Sequence, residues 1–320
     1  MLGWDMAINV GISACVLGDK VRFDGGHKQN RFVIDELAQY MHFKPVCPEV
    51  GIGMPVPRPA IRLLQLPSGE ERLVDTKNHE IDHTDKMIAF AEKKISQFDD
   101  LCGYVVCAKS PTCGMERVKL HIANNNTVPG GAVGIYTKTL MAKMPWLPIE
   151  EDGRLNDPVL RENFVFRVFA LNDFYKSVRD NLSIDAFVKF HSRYKLVLMA
   201  HSPKAYKSMG PLVANIKDWD LDEFYQVYRQ QFMDAIKERA SRKNKTNVLM
   251  HLQGYFKRSL TKEQKQELNA LILSYKEGNQ PLLVPLTMIK HYMREYPDPY
   301  LQIQTFIDPY PEELKLRYGL

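Results

Sequence analysis

The run Ala108-Lys109-Ser110-Pro111-Thr112-Cys113-Gly114 places a lysine, a hydroxyl and a thiol beside a proline and a glycine, directly after the apolar stretch Leu101–Cys107. Two comparable stretches lie upstream. Ser13-Ala14-Cys15 follows the apolar Ile8–Ile12, and Val46-Cys47-Pro48-Glu49 closes Phe43–Val46. Each thiol stands just past a candidate strand, and in open α/β sheets the loops beyond the strand carboxyl ends hold ligands. Cys15, Cys47 and Cys113 are too far apart in sequence to form the paired Cys-x-x-Cys knuckles of a zinc ribbon. Three thiolates from three loops suit an iron–sulfur cluster with one iron lacking a protein ligand, since thiolates select soft metals and such clusters ordinarily take four cysteines. The same pattern also fits three separately buried cysteines that pack as small apolar residues. Cys102 and Cys107, within the apolar run, read as core residues.

Glu49 follows Cys47 by two positions, and Ser110 precedes Cys113 by three. If the thiols converge, a carboxylate and a hydroxyl flank the same point, a pair suited to general acid–base work and substrate orientation. The plainer alternatives are a solvated loop charge for Glu49 and a turn cap for Ser110. Arg22, Asp24 and Lys109 are weaker candidates: Asp24-Gly25-Gly26 reads as a turn, and Arg22 as a partner of Asp24.

The elements that must position these groups alternate. Ile8–Ile12, Phe43–Val46 and Leu101–Cys107 read as strands, and Ile61–Leu66 with Arg72–Val74 as a hairpin about Pro67-Ser68-Gly69. Apolar spacing predicts helices over Asn30–Met41, with Asn30 as a cap, over Asp82–Phe98 and over Gly134–Met144. Val21–Gly26 and Gly51–Pro59 read as loops, Val128–Ala132 as a glycine turn, and Glu116–His121 as either strand or helix. The fold expected is an α/β, Rossmann-like domain with a mainly parallel sheet over residues 1–150. The acidic stretch Pro148–Pro158 reads as a junction. Beyond it an all-α domain is expected over 158–320, with helices near 158–171, 184–200, 203–215, 221–241, 246–256, 261–277 and 286–296, then a tail rich in proline and tyrosine.

Composition narrows the function classes. The 320 residues are 45% hydrophobic, yet no apolar run reaches the roughly 20 residues that span a bilayer. Met1–Val10 lacks a basic segment before an apolar core, so it does not read as a signal peptide, and a cytoplasmic protein without a membrane partner is expected. Five cysteines, an odd number thinly spread, argue against a disulfide framework. The net charge of +5 is uneven: residues 161–320 hold 25 Lys and Arg against 18 Asp and Glu, and the first 160 hold 18 against 20. A basic second half points to an acidic partner, RNA or DNA leading.

Ser13-Ala14-Cys15-Val16-Leu17-Gly18, Val21-Arg22-Phe23-Asp24-Gly25-Gly26, Cys47-Pro48-Glu49 and Lys109-Ser110-Pro111-Thr112-Cys113-Gly114, in this order, resemble the thiouracil desulfurase family. The resemblance covers about residues 7–150. It implies a 4Fe–4S cluster held by Cys15, Cys47 and Cys113, with Glu49 as the catalytic glutamate and Ser110 as the active-site serine. The second half, through Phe190-His191-Ser192-Arg193-Tyr194-Lys195 and Leu198-Met199-Ala200-His201-Ser202-Pro203, resembles a helical module often fused to that domain. Such fusions are similar to bacterial tRNA 4-thiouridine desulfidases, which implies conversion of 4-thiouridine in tRNA to uridine with release of hydrogen sulfide. On that reading tRNA, and no DNA, is the partner. Arg193, Lys195, Lys204 and Lys207, with His191, His201, Tyr194 and Tyr206 interleaved, would hold the RNA by cations for phosphates and rings for unstacked bases. Arg239, Arg242, Lys243 and Lys245 form a second basic group. Desulfuration of free thiouracil or thionucleotides is the alternative reaction, and an RNA-binding iron–sulfur sensor the non-enzymatic reading.

Overall fold

The computed structural model describes residues 8–317, so most of the Met1–Val10 stretch that bears on a signal peptide lies outside the described residues. The chain divides into two compact units, Met1–Phe164 and Val165–Leu320.

The first unit is built on a four-stranded, fully parallel sheet of β1 (Ile8–Ser13), β2 (Met41–Val46), β5 (Gly103–Val106) and β7 (Ile149–Glu151), in the order β2-β1-β5-β7. Val10, Ile12, Val105 and Val106 are fully buried, as expected of inner strands of a parallel sheet. The hairpin β3 (Ile61–Gln65) and β4 (Glu71–Asp75) pairs antiparallel, and a short β6 (Leu120–His121) joins β3 in parallel. Short helices α1 (Ala14–Leu17) and α2 (Pro48–Gly51) start directly after β1 and Cys47. Longer ones, α3 (Thr84–Ile95) and α4 (Ile135–Lys143), pack as a pair.

Three local differences from the sequence reading have physical causes. The central strand ends at Val106, because the next two backbone donors leave the ladder: Cys107 N–H goes to Ser13 Oγ at 3.0 Å and Ala108 N–H to Asp152 Oδ1 at 2.7 Å. The span read as one helix over Asn30–Met41 is a π-turn over Phe32–Glu36 followed by a 3-10 turn over Leu37–Gln39, although Asn30 does cap it, accepting from Val33 N–H at 3.2 Å. The acidic stretch read as a junction contains β7. Its Glu150 and Glu151, with the following Asp152, are buried yet satisfied: Glu150 pairs with Arg154 at 2.6 Å, and Glu151 Oε1 accepts from the N–H groups of Met115 and Glu116.

The second unit is helical. α5 (Pro158–Ser177) leads into it and is followed by α6 (Ile184–His201), α7 (Pro203–Ala214), α8 (Leu221–Lys237), α9 (Arg242–Tyr255), α10 (Lys262–Glu277) and α11 (Leu283–Glu295). Caps at Ser183, Ser202, Asp220, Ser241 and Thr261 each accept a first-turn N–H, and Thr261 with Gln264 closes a capping box. The core is an aromatic cluster in which Phe174, Phe187, Phe190, Tyr194, Phe224, Tyr228 and Phe232 contact one another edge-on or stacked. The tail carries a short helix, α12 (Pro299–Gln302), and buries Leu301, Phe306, Ile307 and Tyr310. No helix among the described residues is long and apolar enough to cross a membrane.

Candidate active site

The four strands run parallel, and the residues that follow three of them, β1, β2 and β5, line a single cavity of about 320 Å³. Cys15 follows β1, Cys47 follows β2, and Cys107 through Cys113 follow β5. Cys15, Cys47, Cys113, Glu49 and Ser110 all lie on the cavity wall, so five residues spread over 99 positions meet at one place. Lys28, Arg22, Phe23 and Lys109 line it as well.

The loop bearing Cys113 is fixed from below by the start of α4. Gly134 N–H donates to Gly114 O at 2.8 Å, Tyr136 N–H to Thr112 O at 3.0 Å, and Thr137 Oγ1 to Cys113 O at 2.7 Å. The first N–H groups of a helix have no partner within it, and here the loop carbonyls supply several. This docking requires glycine at 134: a Cβ there would lie 2.5 Å from the backbone of Thr112. Ser110 Oγ accepts from Thr112 N–H at 3.2 Å and Cys113 N–H at 3.1 Å. It is therefore a turn cap that also faces the cavity, with its hydroxyl proton left to donate.

Glu49 sits in the first turn of α2 with both oxygens engaged. Oε2 takes the Arg58 guanidinium, at 2.7 Å from Nε and 2.5 Å from Nη2, and Oε1 accepts from Thr112 Oγ1 at 2.9 Å. Sequence reasoning missed Arg58 and Thr112. The one signal for either is an arginine in the proline-rich loop, and Thr112 stands out only as part of its motif. It also missed Asp152, which receives Lys28 at 3.0 Å and holds the loop at Ala108.

Cys107 departs from the core role read for it: it is buried but lines the cavity and hydrogen-bonds Cys15. Cys102, by contrast, is buried and turned to Asp100 O at 3.8 Å. Three of the four cavity thiols hold their protons tightly, whereas the hydrogen bond with Cys15 pulls Cys107 down. The hydrogen bond with Cys107 and then burial push Cys15 up, burial pushes Cys47 up, and burial followed by the Glu49 charge pushes Cys113 well up. Among the described residues no three His, Cys, Asp or Glu side chains come close enough to grip a single ion. The thiols ring a void instead, and that donor set fits a thiolate-bound polynuclear group of soft metal.

In the second unit Lys204 and Lys207 are exposed on α7, and Lys195 is half-buried on α6. Arg193 is ion-paired with Asp173 at 2.8 Å. Tyr194 and His191 are core residues, 1% and 6% exposed, because the face of α6 that carries them packs on the aromatic rings of α8. Tyr206 is partly exposed. In the second basic group Lys243 and Arg239 are exposed, and Arg242 donates to Tyr275 O at 2.7 Å.

A family model described as 2-thiouracil desulfurase matches residues 10–152, and one described as a protein of unknown function, DUF1722, matches residues 195–311. The uncharacterized protein YbgA of Escherichia coli (strain K12) is 42% identical over 159 residues, covering 49% of this chain and 94% of that protein. Among solved structures, the 4Fe-4S-dependent thiouracil desulfidase TudS is similar with a TM-score of 0.37 and 22% identity, over 47% of this chain and 94% of that one.

Proposed function

We propose that this chain, whose residues 10–152 match the 2-thiouracil desulfurase family model and whose residues 195–311 match DUF1722, hydrolyses the carbon–sulfur bond of a thiolated uracil, with 4-thiouridine in tRNA as substrate. The observation that carries this reading is the shared cavity of Cys15, Cys47, Cys113, Glu49 and Ser110. Cys15, Cys47 and Cys113 would hold a 4Fe–4S cluster. When bound, that group supplies an open, soft coordination position and Lewis acidity toward a thiocarbonyl sulfur.

The chain's own residues do the rest. Glu49, held as a carboxylate partner of Arg58, takes a proton from the attacking water and returns it to the departing sulfur. Thr112 and Arg58 hold its two oxygens in one orientation. Ser110 donates to the base edge. The balance is water plus thiocarbonyl giving carbonyl plus hydrogen sulfide, with no external electron donor. A nucleotide in RNA must leave its stack to enter such a cavity. The exposed cations of the second unit, Lys204 and Lys207 foremost, support RNA as the carrier of the ring.

Anaerobic reconstitution with iron and sulfide, followed by turnover of 4-thiouridine-containing tRNA and of free 4-thiouracil, tests the proposal. Release of hydrogen sulfide with faster turnover of the tRNA supports it. Faster turnover of the free base moves the substrate to the small molecule, and no release from either removes the activity.

A further inference from the structure

Four of the five cysteines line the cavity, and the proposed function uses three of them. Cys107 is left over. Its place is fixed through the backbone: its N–H donates to Ser13 Oγ at 3.0 Å, and the next N–H, that of Ala108, to Asp152 Oδ1 at 2.7 Å. Both acceptors are buried, so this stretch of chain is held where it stands.

The cavity thiols do not face one another equally. Cys47 Sγ donates to Val21 O at 3.7 Å, and the Ser13 hydroxyl hydrogen-bonds the Cys113 thiol. Cys15 and Cys107 hydrogen-bond each other. The sheet brings these two together. Cys15 stands two positions past β1 and Cys107 one past β5, and the two strands are neighbours in parallel register, with Ile12 opposite Val105. Neighbouring strands lie about 4.8 Å apart. That spacing falls inside the roughly 4.4–6.8 Å that separates the Cα atoms of a bridged pair. Cys15 is half-buried on the cavity wall, within reach of a small oxidant that enters from solvent.

We propose that Cys15 and Cys107 form a reversible disulfide when the cluster-free chain meets hydrogen peroxide, and that the bridge withholds Cys15 from cluster assembly until a thiol reductant opens it. Peroxide takes two electrons from the Cys15 sulfur: its O–O bond breaks, a sulfenic acid forms and one water leaves. The Cys107 sulfur then displaces the sulfenic hydroxyl, which takes up the remaining proton and leaves as a second water. Two thiols and one peroxide thus give one disulfide and two waters. A dithiol reductant reverses the bridge by exchange. The bridge needs only the contact between the two thiols; its effect on assembly rests on the reading of Cys15 as a cluster ligand.

The test uses the full chain, prepared without its cluster and fully reduced. It is treated with a small excess of hydrogen peroxide, alkylated with N-ethylmaleimide, digested and mapped by mass spectrometry. A peptide linking Cys15 to Cys107 is expected, with alkylation at Cys47, Cys102 and Cys113. The initial rate of iron and sulfide uptake is expected to fall about tenfold after peroxide and to recover after dithiothreitol. Cys107→Ser is expected to form no bridge and to leave a sulfenic acid on Cys15 that dimedone captures. Cys102→Ala is expected to bridge as the wild-type chain does. Alkylation of all five thiols in the peroxide-treated wild-type chain overturns the proposal, as does a bridge that omits Cys107. Uptake by the bridged chain as fast as by the reduced one overturns the effect on assembly. A reduced chain that takes up no iron and sulfide removes the cluster reading and leaves the bridge standing. A reduced chain that loads, yet forms no bridge under peroxide, does the opposite.

Discussion

The Arg58 guanidinium joins Glu49 to the loop opposite it: Nε and Nη2 reach Glu49 Oε2 at 2.7 and 2.5 Å, and Nη2 also donates to Val21 O at 2.8 Å. The side chains are 2% and 13% exposed, so the pair is largely out of water. A guanidinium spans these two acceptors because its donors lie in a fixed planar fork. Glu49 thus owes its orientation to a residue nine positions away, and the same residue ties down the wall that carries Phe23.

Arg58→Ala leaves a largely buried carboxylate without its cation and Val21 O with only the Cys47 thiol at 3.7 Å. The first unit is expected to lose about 3 kcal/mol, read by urea unfolding, and turnover is expected to fall by about 100-fold as Glu49 loses its orientation. Arg58→Lys restores charge without the fork and should recover stability more than turnover. Wild-type turnover in Arg58→Ala would show that Glu49 needs no such support.

The cysteines divide by position. Cys15→Ala, Cys47→Ala and Cys113→Ala are each expected to lower bound iron and sulfide after anaerobic reconstitution to less than about half of the wild-type content, since each removes one of three proposed ligands. Cys102→Ala, facing Asp100 away from the cavity, is expected to load fully. Cys107→Ser is the discriminating variant, because Cys107 lines the same cavity and hydrogen-bonds Cys15. Full loading of this variant places Cys107 outside the ligand set. Iron and sulfide analysis with the visible absorption spectrum decides each case.

Gly134→Ala tests the support beneath the Cys113 loop. Its new Cβ would stand 2.5 Å from the Thr112 backbone, which cannot swing aside as a flexible side chain can. The cost expected is about 2 kcal/mol, in the range for an overpacked site, measured by denaturant unfolding. Thr112 also holds Glu49 Oε1, so turnover should fall further than stability alone accounts for. A neutral outcome in both would mean that the loop is free to move off α4.

In the second unit, burial and then the Lys195 charge pull His191 down to about 4 from its ordinary 6.5. Its Nδ1 meets the Tyr228 hydroxyl at 3.1 Å, and its Nε2 is buried without a partner. A depressed histidine binds its proton more readily in the unfolded chain, so the unit keeps its full stability above about pH 6.5 and loses it as pH falls toward 4. The loss across that window is about 3 kcal/mol. Denaturant midpoints between pH 7 and pH 4 should show the slope, and His191→Gln should flatten it. A slope unchanged by that substitution would place the acid sensitivity elsewhere.

Much of this protein is legible in its residues. The apolar run Ile8–Ile12 has the buried, β-branched character of an inner strand, and Phe43–Val46, with its lysine and proline, that of an edge strand. The second-half helices carry their own start signals in Ser202-Pro203 and Thr261 through Gln264. These are local properties, set by propensity, capping and periodicity within a few positions. The motifs around Cys15, Cys47 and Lys109–Gly114 likewise state their chemistry by residue type alone.

What the sequence could not state is which distant groups become partners. β7 is hidden because its core-facing glutamates break the apolar pattern, and only the folded chain brings Arg154 and the Met115–Glu116 backbone to pair them. Tyr194 and His191 look like a ring and a cation for RNA until packing against α8 buries them. Arg58, Thr112 and Cys107 gain their places at the cavity only when the strand ends converge, since a hydrogen bond or ion pair depends on separation in space, and separation along the chain does not encode it.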